Sequence, residues 1–169
     1  MMIFGRLCIE FHKWQTMNLE VYPLKDTSQE HTHFAFISEG KQGQIIKIIA
    51  YQPTGEWSND RPIYNLGFGD YNLMTKEVDD KVVTDNGDTE KILATVAQTV
   101  PVFFSHYPNA ILEVSGSTRG RTRLYKMLIT KYMEELADFV TIYGLNDEVG
   151  ELELFIPDKK YSRFFAIKK

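Results

Sequence analysis

The sequence predicts an α+β fold, in which a largely antiparallel sheet packs against two main helices. Residues 19–84 consist of short apolar runs separated by turn residues, a pattern typical of strands joined by hairpins. Only two longer segments have apolar residues at helical spacing, and strand-like runs follow the second of them. The resulting order of strands, helix, strand, helix and strands differs from the regular βα alternation of a doubly wound sheet.

The first half of the chain contains five segments that we predict to be strands. Alternation is clearest at residues 31–40, where Phe34 and Phe36 fall on one face and Ala35 and Ile37 on the other, so neither face is wholly polar. The glycines in SEGKQGQ predict a hairpin turn, and QPTGEWSNDRP is typical of a polar loop. The five predicted strands are residues 19–24, 31–40, 44–53, 62–70 and 77–84.

The first helix is predicted to follow the turn signal Asn86-Gly87, where Asp88 or Thr89 can cap it. Apolar residues then recur at helical spacing for about four turns, to the sequence VFFS. Pro101 lies inside this helix and removes one backbone hydrogen bond, so we expect the last turn to bend or break. The segment AILEVSG is the next predicted strand.

The second helix is predicted to begin at Thr118 or Arg119 and to extend to residue 136. Gly144 is expected near a turn, and ELELFIP and YSRFFAIKK are the last two predicted strands. The apolar face expected for the second helix consists of Leu124, Met127, Leu128, Tyr132 and Leu136.

Residues 1–16 are predicted to be an extension outside a single domain formed by residues 17–169. They lack strand or helix periodicity, and Met17, which directly precedes the first predicted strand, is an alternative start. The opening lacks the uninterrupted apolar core and the cleavage site of a signal peptide. No apolar run approaches the length of about 20 residues that spans a bilayer, so we expect no membrane association.

The charge and cysteine content limit the classes of ligand and compartment. With a formal net charge of -4, the molecule does not attract polyanions through its overall field, so binding of phosphate or nucleic acid must be local. The single cysteine, Cys8, cannot form an internal disulfide, and no Cys/His pair has the spacing of a zinc site. We expect a cytoplasmic protein, and the sequence identifies no cofactor.

The most informative motif is SGSTRGRTR, which places three arginines where the second helix begins. A helix N-terminus has the positive end of the macrodipole, so cations there lie against the local field unless something offsets them. The free N–H groups of a first turn bind anions, and the arginines add positive charge to them. We therefore expect an anion site formed by Ser117, Thr118, Arg119, Arg121 and Arg123.

The helical repeat limits how many of these arginines reach one ligand. Arg119 and Arg123 share a helical face, while Arg121 is displaced from Arg119 by about 200°. The motif is not a P-loop, because it lacks GK[ST] and a second glycine at the required spacing. A guanidinium suits a carboxylate as well as a phosphate, so residue type cannot distinguish a ligand site from internal ion pairs. The internal partners expected in that alternative are Asp70, Asp85 and Asp88.

The segment GFGD contributes two further candidate residues. Phe68 could stack on a base, while Asp70 could orient a ribose hydroxyl, a donor amine or a metal. The structural alternative is a glycine bulge in a strand with a phenylalanine in the core.

The segment DNGD supplies Asp85 and Asp88, which could bind a magnesium ion that bridges to phosphate. A turn followed by a helix cap explains the same residues, and the remaining ligands of a calcium loop are absent. His31 and His33 could offer two metal ligands from one strand face, although no third ligand has a fixed spacing to them. We therefore predict no resident metal site and assign no catalytic residue.

The chain resembles an uncharacterised family of small bacterial proteins, defined as a domain of unknown function. The resemblance rests on YNLGFGD, TDNGDTEK, the GSTxxRTRLY pattern and the ending FFAIKK, and it covers residues 17–169. Pro101 departs from the family pattern, in which a helix-compatible residue is expected. The resemblance implies no established activity, cofactor or catalytic residue.

Three functions are compatible with these features. The first is a binding module that holds a phosphate-bearing ligand, either a nucleotide or RNA, at the N-terminus of the second helix. The second is a metal-dependent phosphoesterase or nuclease-like toxin, in which the arginines stabilise charge and Asp70, Asp85 or Asp88 acts as base or metal ligand. The third is a protein-interaction partner in a two-gene regulatory or defence pair.

Overall fold

A computed structural model describes residues 19–81 and 84–169, and it confirms the α+β class. Its sheet has nine strands: β1 (Lys25–Asp26), β2 (His33–Gly40), β3 (Gly43–Ser58), β4 (Arg61–Asn72), β5 (Glu77–Asp79), β6 (Ile111–Val114), β7 (Val140–Asn146), β8 (Glu151–Leu154) and β9 (Arg163–Lys168). The helices are α1 (Thr89–His106), α2 (Arg119–Lys131) and the short α3 (Met133–Ala137). The predicted extension at residues 1–16 and the alternative start at Met17 lie outside the described residues.

The sheet is antiparallel at every described strand pair except one. Its order is β1-β2-β3-β4-β6-β9-β7-β8, and β5 pairs with the far end of β4. The exception is the parallel pair of β4 and β6, which α1 connects. β4 pairs with β6 at residues 63–65 and with β5 at residues 70–72, so the sheet forks beside its middle strand.

Both long helices pack on the same face of this sheet. Tyr51 of β3 stacks on Phe103 of α1 with ring centroids 4.3 Å apart, and Phe68 of β4 meets Tyr125 of α2 edge-on at 5.6 Å. Tyr51 pairs with Leu66, which is two residues from Phe68, so all three side chains lie on one side of the sheet. The core therefore lies between one sheet and one helical layer.

The hairpin of β3 and β4 is longer than predicted. Residues 52–62 are not a loop, because β3 continues to Ser58 and the chain reverses at Asn59-Asp60, where both residues have positive φ. Polar residues that tolerate this conformation favour tight hairpin turns. Pro53 and Gly55 suggested a loop, whereas in the sheet the register shifts between Pro53 and Trp57 and the pairing resumes.

Other strand predictions were wrong in position or missed. Residues 19–24 form no strand, and the segment predicted at 77–84 pairs only over Glu77–Asp79, with residues 82–83 outside the described part. Gly144 does not lie at a turn but inside β7, which was not predicted. A Cβ on Gly144 would lie 2.5 Å from the ring of Tyr161, so glycine is required there by close packing.

The helices agree more closely with the prediction. α1 begins at Thr89 and continues past Pro101 to His106, so its last turn is not broken. α2 is capped by Thr118, whose hydroxyl accepts a 3.2 Å hydrogen bond from the backbone N–H of Arg121. The helix ends at Lys131 rather than at residue 136, and a separate turn of helix follows. Of the predicted apolar face, Leu128, Tyr132 and Leu136 are buried, whereas Met127 is 45% exposed. The buried positions within α2 itself are Arg121, Tyr125, Leu128 and Ile129.

Candidate functional site

The start of α2 lies where the parallel pair β4 and β6 ends, beside the fork in the sheet. Ligands in open sheets commonly bind outside the carboxyl ends of parallel strands. The first turn of α2 contains no acidic residue, so no side chain of that turn offsets the positive end of the helix. The backbone N–H groups of Arg119 and Gly120 form no hydrogen bond with another described residue, as expected for a first turn.

The three arginines have two different environments. Arg121 is 3% exposed, its Nε donates a 2.6 Å hydrogen bond to the carbonyl oxygen of Asp80, and its guanidinium lies 4.8 Å from the ring of Phe68. Arg119 and Arg123 are exposed, and neither forms an ion pair or a hydrogen bond with another described residue. Arg121 therefore holds the segment after β5 against the sheet, while the other two guanidinium groups face solvent.

Gly116 allows α2 to begin close to the end of β6. A Cβ at this position would lie 2.3 Å from the backbone nitrogen of Thr122, which no side chain permits without movement. The next residue, Ser117, is exposed, and its hydroxyl donates a long 3.5 Å hydrogen bond to the carbonyl oxygen of Asp80. Thr118 is the cap, and Ser117 lies beside the free N–H groups.

Phe68 is part of the core and does not present a face for stacking on a base. The side chain is 5% exposed and is enclosed by the ring of Tyr125 and the guanidinium of Arg121. Burial raises the pKa of Tyr125 to about 12, while the positive charge of Arg121 acts in the opposite direction. This arrangement corresponds to the structural alternative for the segment GFGD.

Asp70 forms an internal ion pair instead of facing the arginines. Its carboxylate accepts hydrogen bonds from Lys47 Nζ and from the hydroxyl of Thr84. Lys47 lies directly opposite Asp70 in the pairing of β3 with β4, and its side chain is 5% exposed. The role of Lys47 as the partner of Asp70 was not predicted. A lysine inside the apolar run QIIKIIAY could have indicated it, because a buried ammonium group needs a carboxylate partner.

The two remaining candidate aspartates also have other partners. Asp88 occupies the cap position of α1 without capping it. Its Oδ2 accepts 2.6 Å hydrogen bonds from the hydroxyls of Tyr22 and Ser38, while its buried Oδ1 has no hydrogen-bond partner among the described residues. Asp85 accepts a 3.3 Å hydrogen bond from the backbone N–H of Gly87. The alternative in which the arginines pair with Asp70, Asp85 and Asp88 is therefore wrong.

Contrary to the prediction, His31 and His33 do not lie on the same strand face. β2 begins at His33, and His31 precedes it in a turn with a φ of 56°. The ring of His31 stacks on that of His106 with centroids 4.1 Å apart and hydrogen-bonds with Asp26. Within residues 19–81 and 84–169, no group of three or more His, Cys, Asp or Glu side chains is arranged to hold a metal ion.

The site residues predicted from the sequence thus fall into two groups, with Asp85 in neither of them. Ser117, Thr118, Arg119 and Arg123 lie together on the exposed start of α2, beside two free N–H groups. Phe68, Asp70, Arg121 and Asp88 are engaged in packing, ion pairing or hydrogen bonds within the protein. Asp85 is exposed at the turn before α1. The first group is the part of the candidate site that can accept an anion.

Comparisons with known proteins identify the family of this chain. No described helix is both long and apolar enough to cross a membrane. Searches of curated proteins and of solved structures give no match. The model of a family of unknown function, DUF6934, matches residues 18–169. Because this match covers nearly the whole chain, the protein belongs to the DUF6934 family.

Proposed function

We propose that the protein binds a phosphate-bearing ligand, a nucleotide or RNA, at the N-terminus of α2. The observation that carries the proposal is the pair of exposed guanidinium groups, Arg119 and Arg123, which lack a carboxylate partner among the described residues. They share one helical face and lie within one turn of the free N–H groups of Arg119 and Gly120. A phosphate there would accept hydrogen bonds from backbone and side chain together.

The charge balance supports a local site of this kind. The molecule as a whole is acidic, so two unpaired arginines in a helical turn without acidic residues are not part of a general basic surface. A cation at this end of a helix is unfavourable by itself, and a bound anion would offset both the helix dipole and the arginines. Arg121 stabilises the base of the site through its hydrogen bond to Asp80.

The test compares the double variant Arg119→Ala/Arg123→Ala with the wild type. Calorimetry with inorganic phosphate and with a nucleoside triphosphate, and anisotropy with a labelled single-stranded RNA, measure the three classes of phosphate separately. We expect at least a tenfold loss of affinity for the ligand that binds, with an unchanged melting temperature, because both side chains are exposed. If RNA is the ligand, the affinity should also fall steeply with salt.

The matched control is Lys41→Ala/Lys160→Ala, which removes two exposed positive charges that have no side-chain partner among the described residues. This control should bind like the wild type. Absence of binding by the wild type in all three assays, or equal losses in both double variants, would contradict the proposal. Cleavage of the RNA with Mg²⁺ or Mn²⁺ would point instead to the phosphoesterase alternative.

A further inference from the structure

The face of the sheet opposite the helices has many apolar side chains. We name it the open face and define it as the side chains of β2 to β9 that point away from α1 and α2. The register places these side chains in cross-strand contact, as in the pairs of Ile37 with Ile46 and of Tyr143 with Phe165 and Leu154. A sheet with one face in water normally has polar residues at such positions. The apolar character of the open face therefore indicates that it is covered.

No described segment of the chain covers the open face. At the two sides of this face, Ile37 of β2 and Leu152 and Leu154 of β8 are 46%, 58% and 60% exposed, and the side chains between them are half-buried. The described chain begins on the helical side of the sheet, where Tyr22 stacks on Phe36. The loop after β8 also lies on the helical side, where Tyr161 packs against Phe164. The cover must come from elsewhere.

The open face carries few charged side chains. Arg163 and Glu113 lie on it with their side chains 3.6 Å apart, and Arg163 forms a second ion pair of 2.9 Å with Asp147. Arg163 thus pairs with two carboxylates, and the three groups together carry a net charge of -1. The centre of a protein interface is depleted in unpaired charge, and the charges on this face are few. A matching partner must offer an apolar surface with few charges, which a second copy of the same face supplies.

The size of the open face is adequate for such a contact. Seven neighbouring strands, in the order β2-β3-β4-β6-β9-β7-β8, span about 29 Å across the sheet at the usual strand spacing. A strand of typical length extends roughly 20 Å along its own direction. The projected area is thus roughly 600 Å², and the accessible area of the protruding side chains is larger. Each partner of a standard-size interface contributes about 800 Å².

We propose that two copies of the chain pack open face against open face in a twofold-symmetric dimer. An apolar face is self-complementary, which an isologous contact requires, and two twisted sheets pack readily with their strands nearly aligned. Each helical layer then lies on the outside of a four-layer particle. The proposal goes beyond phosphate binding and does not depend on it, since the start of α2 lies on the outer layer.

The experiment measures the mass of the full-length chain by light scattering coupled to size-exclusion chromatography, over a hundredfold range of concentration. The wild type should have twice the chain mass of 19.6 kDa. The double variant Ile37→Glu/Leu154→Glu should be monomeric under the same conditions, with at least a hundredfold weaker association, because four carboxylates would be desolvated in the interface. Both residues are exposed in the single chain, so circular dichroism should show an unchanged fold.

The matched control is Met127→Glu/Ile156→Glu, which adds the same charge at positions outside the open face that are 45% and 43% exposed. It should remain dimeric. A monomeric wild type, or a double variant of the open face that dimerises as well as the control, would overturn the proposal. Protection of the open-face strands from hydrogen exchange in a monomeric wild type would identify residues 1–18 as the cover and would likewise overturn it.

Discussion

Lys47 shows how one charged residue in an apolar run constrains its surroundings. Its ammonium group is buried between β2 and β4, where it contacts the carboxylate of Asp70 on the opposite strand position. Removing one partner of such a pair leaves a buried charge without compensation, which costs more free energy than the pair contributes. Asp70 is therefore a structural residue in the described conformation, and its loss should affect stability before it affects binding.

The first prediction concerns this ion pair. Asp70→Asn should lower the free energy of unfolding by about 3 kcal/mol, since breaking a buried pair typically costs about 3–5 kcal/mol and asparagine retains one acceptor oxygen. Urea denaturation followed by circular dichroism measures the change. The control Asp85→Asn, at an exposed position, should change stability by less than about 0.5 kcal/mol. Equal stability of the two variants would show that the Lys47 ammonium does not depend on Asp70.

The second prediction concerns the buried tyrosines. Burial raises the pKa of Tyr51 well above its ordinary value of 10 and that of Tyr125 to about 12. Between pH 10 and the raised pKa, only the unfolded state loses these protons, so stability is fully present below pH 10 and falls as the pH rises above it. Denaturation midpoints at about pH 8 and pH 11 should therefore differ, and the difference should shrink in Tyr125→Phe. An identical difference in the variant and the wild type would contradict the assignment.

The residues of the candidate site could be predicted only in part. The 100° step per residue separates Arg121 from Arg119 and Arg123, and the structure places Arg121 in the core and the other two in solvent. Arg121 donates its hydrogen bond to the backbone carbonyl oxygen of Asp80. Every residue has such a carbonyl, so residue types in the sequence do not identify this partner. Internal partners of this kind are invisible in a sequence, so the alternative of internal pairing could name only carboxylates, the aspartates, as partners of the arginines.

At the scale of elements, amphipathic helices are easier to predict than strands. α1 was predicted nearly to its ends because its apolar positions repeat over many turns. β7 was missed because its central glycine suggested a turn, whereas the ring of Tyr161 from a distant segment explains that glycine. The long hairpin was missed because Pro53 and Gly55 are tolerated at a register shift. Both errors arise where tertiary packing decides the local conformation.

The third prediction concerns the start of α2. Gly116→Ala should destabilise the protein by more than about 2 kcal/mol and disturb the candidate site, because the added Cβ would overlap the backbone of the first helical turn. Gly120→Ala is the matched control: its Cβ has a nearest neighbour 3.8 Å away, so alanine should raise stability by about 0.5–1 kcal/mol. Thermal denaturation of both variants checks the signs. A neutral Gly116→Ala would mean that β6 and α2 meet less closely than the structure indicates.

For the molecule as a whole, one layer of helices covers only one face of the sheet, and the second apolar face is left without a cover among the described residues. The sequence carried this signal in β2, where neither face is wholly polar, and in the run QIIKIIAY. Periodicity identifies both faces as apolar but does not specify what covers the second. The fork beside β4 is likewise a property of the whole sheet, because β5 and β6 approach the same strand from distant parts of the chain.

The last prediction concerns the boundary of the domain. A shortened chain beginning at Met17 should have the same helix and strand content as the full chain, because the family match begins at residue 18 and the first described residues are anchored independently. Tyr22 provides that anchor through its stack on Phe36, its hydrogen bond to Asp88 and the backbone hydrogen bond to Thr95.

Circular dichroism and thermal denaturation of both chains measure the outcome, with Tyr22→Ala in the full chain as the variant that removes the anchor. The shortened chain should melt within a few degrees of the full chain, whereas Tyr22→Ala should melt lower by more than that, because it also leaves the carboxylate of Asp88 with one partner fewer. An insoluble or unfolded shortened chain would place the first sixteen residues inside the domain, and it would then be necessary to ask which surface of the sheet or helices they complete.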